Sequence, residues 1–174
     1  MPFDIPAAQN AAGQQKLIVV GMADLNIGKD SQVITTYGLG SCVGITLYDR
    51  AHKIGGMAHI MLPTANTAAG AKNIAKFADT AIPDLIEKMV RAGASKSMFS
   101  AKIAGGAHMF DNSRTDDVIK VGQRNVYMSQ KILQQLGIKL LANETGGTFG
   151  RTVELHCDTG DLHIKTIGHG VKIV

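Results

Sequence analysis

Apolar and polar positions alternate over several short stretches of the chain, the pattern of half-buried strands. Lys16–Met22 and Gln32–Tyr37 read as strands, the second rich in β-branched residues, with Asn26–Asp30 as a turn-rich link. Val43–Asp49 alternates as a strand, Arg50–Lys53 is a turn, and Ile54–Leu62 returns as a strand. Pro63–Ala71 is small and polar, a surface loop. Over Ala75–Arg91 the period becomes helical: Phe77, Ala81, Leu85 and Met89 run beside Ile82, Ile86 and Val90. Pro83 predicts a kink or restart there, and Gly93 a stop. Met98–Ala104 is a strand, followed by Gly105-Gly106 and a loop holding Asp111–Asp117. Gly122–Leu136 is a second helix ended by Gly137, and Ile138–Asn143 a further strand. Arg151–Asp158 and Asp161–Ile167 form a hairpin around Thr159-Gly160, and Lys172–Val174 adds a last strand. Strands dominate and two helices are inserted between them. This predicts an α+β domain, a layered, β-sandwich-like sheet flanked by two main helices. Residues 1–15, rich in Ala, Gln and Pro, form a flexible N-terminal tail; a single domain spans 16–174.

Composition narrows the function classes. Of the 174 residues 45% are hydrophobic and 18% charged, enough to bury a core. Trp is absent and aromatics are 5%, which argues against a single-stranded nucleic-acid binder with stacking platforms. The net charge of +4 lies wholly in residues 71–174, because Lys16, Lys29, Arg50 and Lys53 balance Asp4, Asp24, Asp30 and Asp49. No run of Lys and Arg tracks a phosphate backbone, so no nucleic-acid partner is expected. The mildly basic half suits an acidic protein partner. The tail has neither a basic n-region nor an apolar h-region, and Leu17–Val20 is far too short to span a bilayer. A cytoplasmic protein without membrane insertion is expected, its two cysteines, Cys42 and Cys157, reduced. The 20 glycines exceed the usual share of roughly 7% and imply tight turns or close backbone approach.

The informative segment is Thr35–Pro63. With the even turn Arg50–Lys53, Asp49 falls opposite Ile54. Val43, Ile45 and Leu47 then face Ile60, Ala58 and Gly56 on an apolar, core-facing side. The other side pairs Gly44 with His59 and Cys42 with Met61. Cys42 and His59 become same-face diagonal neighbours, about 7–8 Å apart at Cα. An odd turn would break this arrangement. An imidazole beside a thiol can take its proton and leave a thiolate. The Gly38-Leu39-Gly40-Ser41 loop before Cys42 offers backbone N–H groups for an oxyanion. A lone cysteine on a strand is more often a buried hydrophobe, and the glycine loop and register weigh against that alternative here.

The stretch Thr36-Tyr37-Gly38-Leu39-Gly40-Ser41-Cys42-Val43, followed by Gly56-Met57-Ala58-His59-Ile60-Met61-Leu62-Pro63, resembles CheD, the chemoreceptor glutamine deamidase family of bacterial chemotaxis. The likeness continues through Lys76–Ala81, Ala101–Ala107, Gly122–Val126 and Glu144–Gly147, covering roughly Lys16 to Lys165. It implies a Cys42 nucleophile, a His59 general base and Thr36 orienting the histidine; Thr35 points to the opposite face of its strand. It implies hydrolysis of a receptor glutamine side chain to glutamate through a thioester, with methylesterase side activity, and no cofactor. The implied partners are the cytoplasmic helices of methyl-accepting chemotaxis receptors and a CheC-type phosphatase. The implied fold is similar to cytotoxic necrotizing factor-like deamidases. Gly38, Gly40 and Ser41 would form the substrate and oxyanion loop, and Met109, Phe110 and Arg151 a substrate rim. Much of the glycine excess, Gly38/Gly40, Gly55/Gly56, Gly105/Gly106 and Gly146/Gly147, reads as space kept clear around Cys42.

Other motifs carry less. Gly38-x-Gly40-x-x-x-Gly44 has the wrong spacing for a dinucleotide loop and precedes a strand. His156 and Cys157 are adjacent, so on a strand they face opposite ways, and no metal site is expected. A non-catalytic adaptor that binds phosphatase and receptor is the main alternative, and a thiol redox sensor ranks last.

Overall fold

A computed structural model describes residues 15–66, 72–109 and 116–174. The strands are β1 (Leu17–Val19), β2 (Asp24–Lys29), β3 (Val33–Leu39), β4 (Val43–Asp49), β5 (Ile54–Ile60), β6 (Phe99–Gly105), β7 (Lys139–Thr145), β8 (Arg151–His156), β9 (Leu162–Thr166) and β10 (Gly170–Ile173). The helices are α1 (Ala78–Arg91) and α2 (Asp116–Gln135). One five-stranded sheet has the order β2-β5-β4-β6-β7, the other β1-β3-β8-β9-β10. The α+β, two-sheet, two-helix architecture expected from the pattern is present.

Three layers follow from the burial. One face of the first sheet (Val43, Ile45, Leu47, Ala58, Ile60) packs with Ile82, Leu85 and Met89 of α1 and Leu133 of α2. Its other face contributes Met57 and Ala104 to a second core with Ile34, Val153, Leu155 and Leu162 of the second sheet. The first sheet is thus covered on both sides, which is why β4 and β5 are buried along their whole length.

The β4–β5 hairpin has the expected register: Asp49 pairs with Ile54, Val43 with Ile60 and Gly44 with His59. Asp49 sets it. One carboxylate oxygen accepts from the Ala51 and His52 N–H groups at 2.9 and 3.1 Å. The other accepts from His52 Nδ1 at 2.7 Å and Ser95 N–H at 2.8 Å. Lys53 takes φ +52°, closing the turn at an even length.

Several boundaries differ from expectation. Asn26–Asp30 is not a link: Asp24–Lys29 is the edge strand β2, antiparallel to β5. Its Asp, Asn, Gly and Lys are poor strand formers, and only Leu25 and Ile27 alternate toward the core. The turn comes later, with Gln32 N–H on Lys29 O and Asp30 at φ +56°. α1 runs as one element through exposed Pro83. That proline sits in the second turn, where its missing N–H removes a single ladder bond. α2 starts at Asp116, six residues before Gly122, so Gly122 lies inside the helix. A Cβ there would come within 3.0 Å of the Gly106 carbonyl oxygen, so the glycine permits close packing and marks no boundary. Gly55 and Gly56 make room elsewhere: a Cβ would meet Cys157 at 2.9 Å in the first case and Met89 at 2.7 Å in the second. They pair with Tyr48 and Leu47, at the far end of β4 from Cys42.

Replacing Asp49 with Ala removes the buried acceptor that four donors of an exposed turn and of Ser95 share. We expect a loss of about 1–2 kcal/mol in urea unfolding, because water can reach the freed donors, and an Asp49→Ala protein as stable as the parent would refute this account of the register.

Candidate active site

The site lies between the two sheets at one end of β4. Cys42 immediately precedes β4, only 9% exposed. Its carbonyl accepts from Gly106 N–H at 2.8 Å, which extends the pairing of Val43 with Gly105 by one rung. Gly105, at φ +108°, makes this approach: a Cβ there would lie 2.2 Å from the Cys42 oxygen. His59 is fully buried on β5, and register places it in the row next to Cys42 on the face turned to the second sheet.

The second sheet supplies Thr36. Its Oγ1 lies 2.7 Å from His59 Nδ1 and 2.7 Å from the Val20 carbonyl oxygen. A carbonyl can only accept, so the Thr36 hydroxyl donates to Val20 and its oxygen is left to accept from Nδ1–H. That fixes the tautomer, with the bare lone pair on Nε2. Nε2 is buried without a hydrogen-bond partner among the described residues. Thr35 faces away, donating to Val153 O at 3.0 Å.

Burial pushes the Cys42 thiol above its ordinary value, while its own backbone N–H pulls the other way. Burial also pulls His59 below its ordinary 6.5. Both shifts run toward the uncharged form of their group, against the preformed thiolate that the Cys/His pattern suggests.

The loop before Cys42 is partly committed. Gly38 has φ +68°, and Gly40 N–H donates to Gly38 O at 3.0 Å. The Gly40 amide is therefore taken, and Ser41 and Cys42 hold the backbone N–H groups next to the sulfur. Met109 covers the loop, since a Cβ on Gly40 would meet its Cγ at 3.1 Å. Gly38, Met109, Phe149 and Arg151 line one shallow groove of roughly 310 Å³. Arg151 holds its own loop, donating to Phe149 O and Gly146 O at 3.2 and 2.9 Å. Phe110 lies outside the described residues.

One residue escaped the sequence reading. Asn125, fully buried on α2, donates to Ser41 O at 3.0 Å and Met61 O at 2.9 Å. It ties together the segments that carry Cys42 and His59. A polar residue on the inner side of a helix was the available signal. Cys157 is free and buried, its thiol pushed up to about 11. It packs near Gly55, six residues down the strand from Cys42, about 20 Å away at strand rise.

With the geometry in place, comparison with known proteins defines the class. The family model described as CheD chemotactic sensory transduction matches residues 61–166. A Caldanaerobacter subterraneus subsp. tengcongensis protein named probable chemoreceptor glutamine deamidase CheD is 47% identical over 161 residues, 92% of this chain and 99% of the relative. Proteins of the same name from Desulfitobacterium hafniense and Pyrococcus horikoshii are 50% and 44% identical over 158 residues, 91% of this chain and 98% and 97% of those relatives. The chain belongs to the CheD family. A crystal structure of the Neisseria meningitidis protein NMB0706 aligns at a TM-score of 0.45 with 10% identity, over 77% of this chain and 63% of its own, too distant to carry any argument. No helix among the described residues is long and apolar enough to cross a membrane.

The lowered His59 value has two measurable signs. By NMR, His59 should titrate below 6.5 and show the Nδ1–H tautomer; a midpoint at or above 6.5, or the other tautomer, contradicts the assigned hydrogen bonds. In the unfolded chain this histidine takes its proton first, so its contribution to stability is lost as pH falls below about 6.5.

Proposed function

We propose that this protein hydrolyses glutamine side chains of chemoreceptors to glutamate, with Cys42 as nucleophile, His59 as general base and then acid, and Thr36 as the positioning residue for His59. The observation that carries this reading is the Val20–Thr36–His59 relay, which leaves the lone pair of a buried Nε2 bare, on the strand row next to that of Cys42. As Sγ bonds to the amide carbon, His59 Nε2 accepts the thiol proton. The Ser41 and Cys42 N–H groups would stabilise the oxyanion. The C–N bond then breaks, His59 returns the proton to the leaving nitrogen, and ammonia departs. Water, deprotonated by His59, hydrolyses the thioester and releases glutamate and free thiol. The same acyl-enzyme would accept a glutamyl methyl ester, giving methylesterase side activity with methanol as leaving group.

The substrate would be an exposed glutamine on the cytoplasmic helices of a methyl-accepting chemotaxis receptor. The groove beside Gly38 supports this, since exposed Met109, Phe149 and Ile167 give it an apolar rim and Arg151 a basic one. Phe110 would extend that rim. A CheC-type phosphatase is a further partner, competing for the same surface in the cytoplasm. The domain over 16–174 would share the layered architecture of cytotoxic necrotizing factor-like deamidases.

Mass spectrometry of receptor cytoplasmic fragments tests the proposal. The native protein should add about one dalton per converted glutamine, and Cys42→Ala should add none. Thr36→Val should lower the rate by roughly 10–100-fold, as loss of an orienting contact does elsewhere. Product formation by Cys42→Ala would sink the mechanism. If that variant makes no product yet supports normal signalling in cells, the adaptor reading holds instead.

A further inference from the structure

The outer face of the second sheet carries a side-chain group that the chemistry at Cys42 does not use. On β8, Glu154 and His156 are two residues apart and share a face, while Val153, Leu155 and Cys157 point into the core. On β9, His163 is the register partner of Glu154. One ligand atom from each of the three lies within 4.8 Å of the others. The rings of His156 and His163 are 4.1 Å apart at their centroids. His156 Nε2 is buried with no hydrogen-bond partner among the described residues, a state that costs free energy unless something fills it.

We propose that Glu154, His156 and His163 form a binding site for a divalent transition metal of the zinc class, with a fourth position open to solvent. Two imidazole nitrogens and a carboxylate oxygen are a common donor set for zinc. Bonds of about 2.0–2.2 Å to one ion set tetrahedral donors roughly 3.4 Å apart, inside the 4.8 Å limit that these three atoms keep. The strands hold the ligands at i, i+2 and across the ladder, so the backbone need not move. The neighbouring Cys157 faces the other way and is no ligand. Lys165 Nζ now donates to one Glu154 oxygen at 2.6 Å, leaving the second oxygen free and supplying a charge the metal would replace. β8 also pairs with β3, Glu154 opposite Thr35 and Val153 opposite Thr36. A metal joining β8 to β9 would therefore stiffen the sheet that carries Thr36.

The test uses the untagged full chain, stripped with chelator and titrated with zinc and with cobalt(II). One equivalent should bind and raise the unfolding temperature. Bound cobalt should show tetrahedral d–d bands without the charge-transfer band of a thiolate. His163→Ala should weaken binding by more than the roughly 10–100-fold that loss of a supporting contact costs, with its metal-free stability unchanged. Lys165→Met should tighten it. No stoichiometric binding, equal affinity in His163→Ala, or a sulfur-to-cobalt band would each overturn the assignment.

Discussion

The hydrogen bond from His59 Nδ1 to Thr36 Oγ1 joins the two sheets at the point where the chemistry is proposed to occur. Its direction is not free. Thr36 must donate to the Val20 carbonyl, so it can only accept from His59. A main-chain oxygen in the link between β1 and β2 thereby decides which imidazole nitrogen is left bare. The rest of the fold serves this contact: the packing of β3 on β5 sets its length, and the hairpin register sets which face His59 occupies.

That register rests on a turn remote from the site. Asp49 satisfies donors from Ala51, His52 and Ser95, so the β4–β5 connection has one length. A slip by one residue would turn His59 toward α1 and leave a charged or unpaired imidazole among leucines. Burial of the first sheet on both faces makes such a slip costly in either direction. At the other end, Asn125 reaches from α2 to Ser41 and Met61, so the helix layer also fixes the spacing of the two strands.

The hairpin was legible because an even turn and strict alternation leave a single register. A threonine orienting His59 came from the family resemblance, with the period of two setting Thr35 on the opposite face, and the structure puts Thr36, not Thr35, against His59. The edge strand β2 was not legible: its outward residues are polar turn formers, and its pairing with β5 is tertiary. Gly122 misled for a related reason. Its role inside α2 is set by the Gly106 carbonyl, sixteen residues earlier in the chain. Asn125 carried a signal, a polar residue on the inner side of a helix, but its partners are main-chain oxygens, which no sequence pattern names. The direction in which burial shifts Cys42 and His59 was equally out of reach, since it depends on how deeply both are covered.

That covering has a bearing on oxidative damage. Peroxides and electrophiles attack thiolates, and accessible ones first. A thiol whose pKa burial raises, on a residue only 9% exposed, offers them little thiolate and little access. In the proposed reaction the proton leaves only as an amide carbon arrives, so the thiol's reactivity is coupled to occupancy of the site. On that proposal the nucleophile is held in readiness without exposure to irreversible oxidation between encounters.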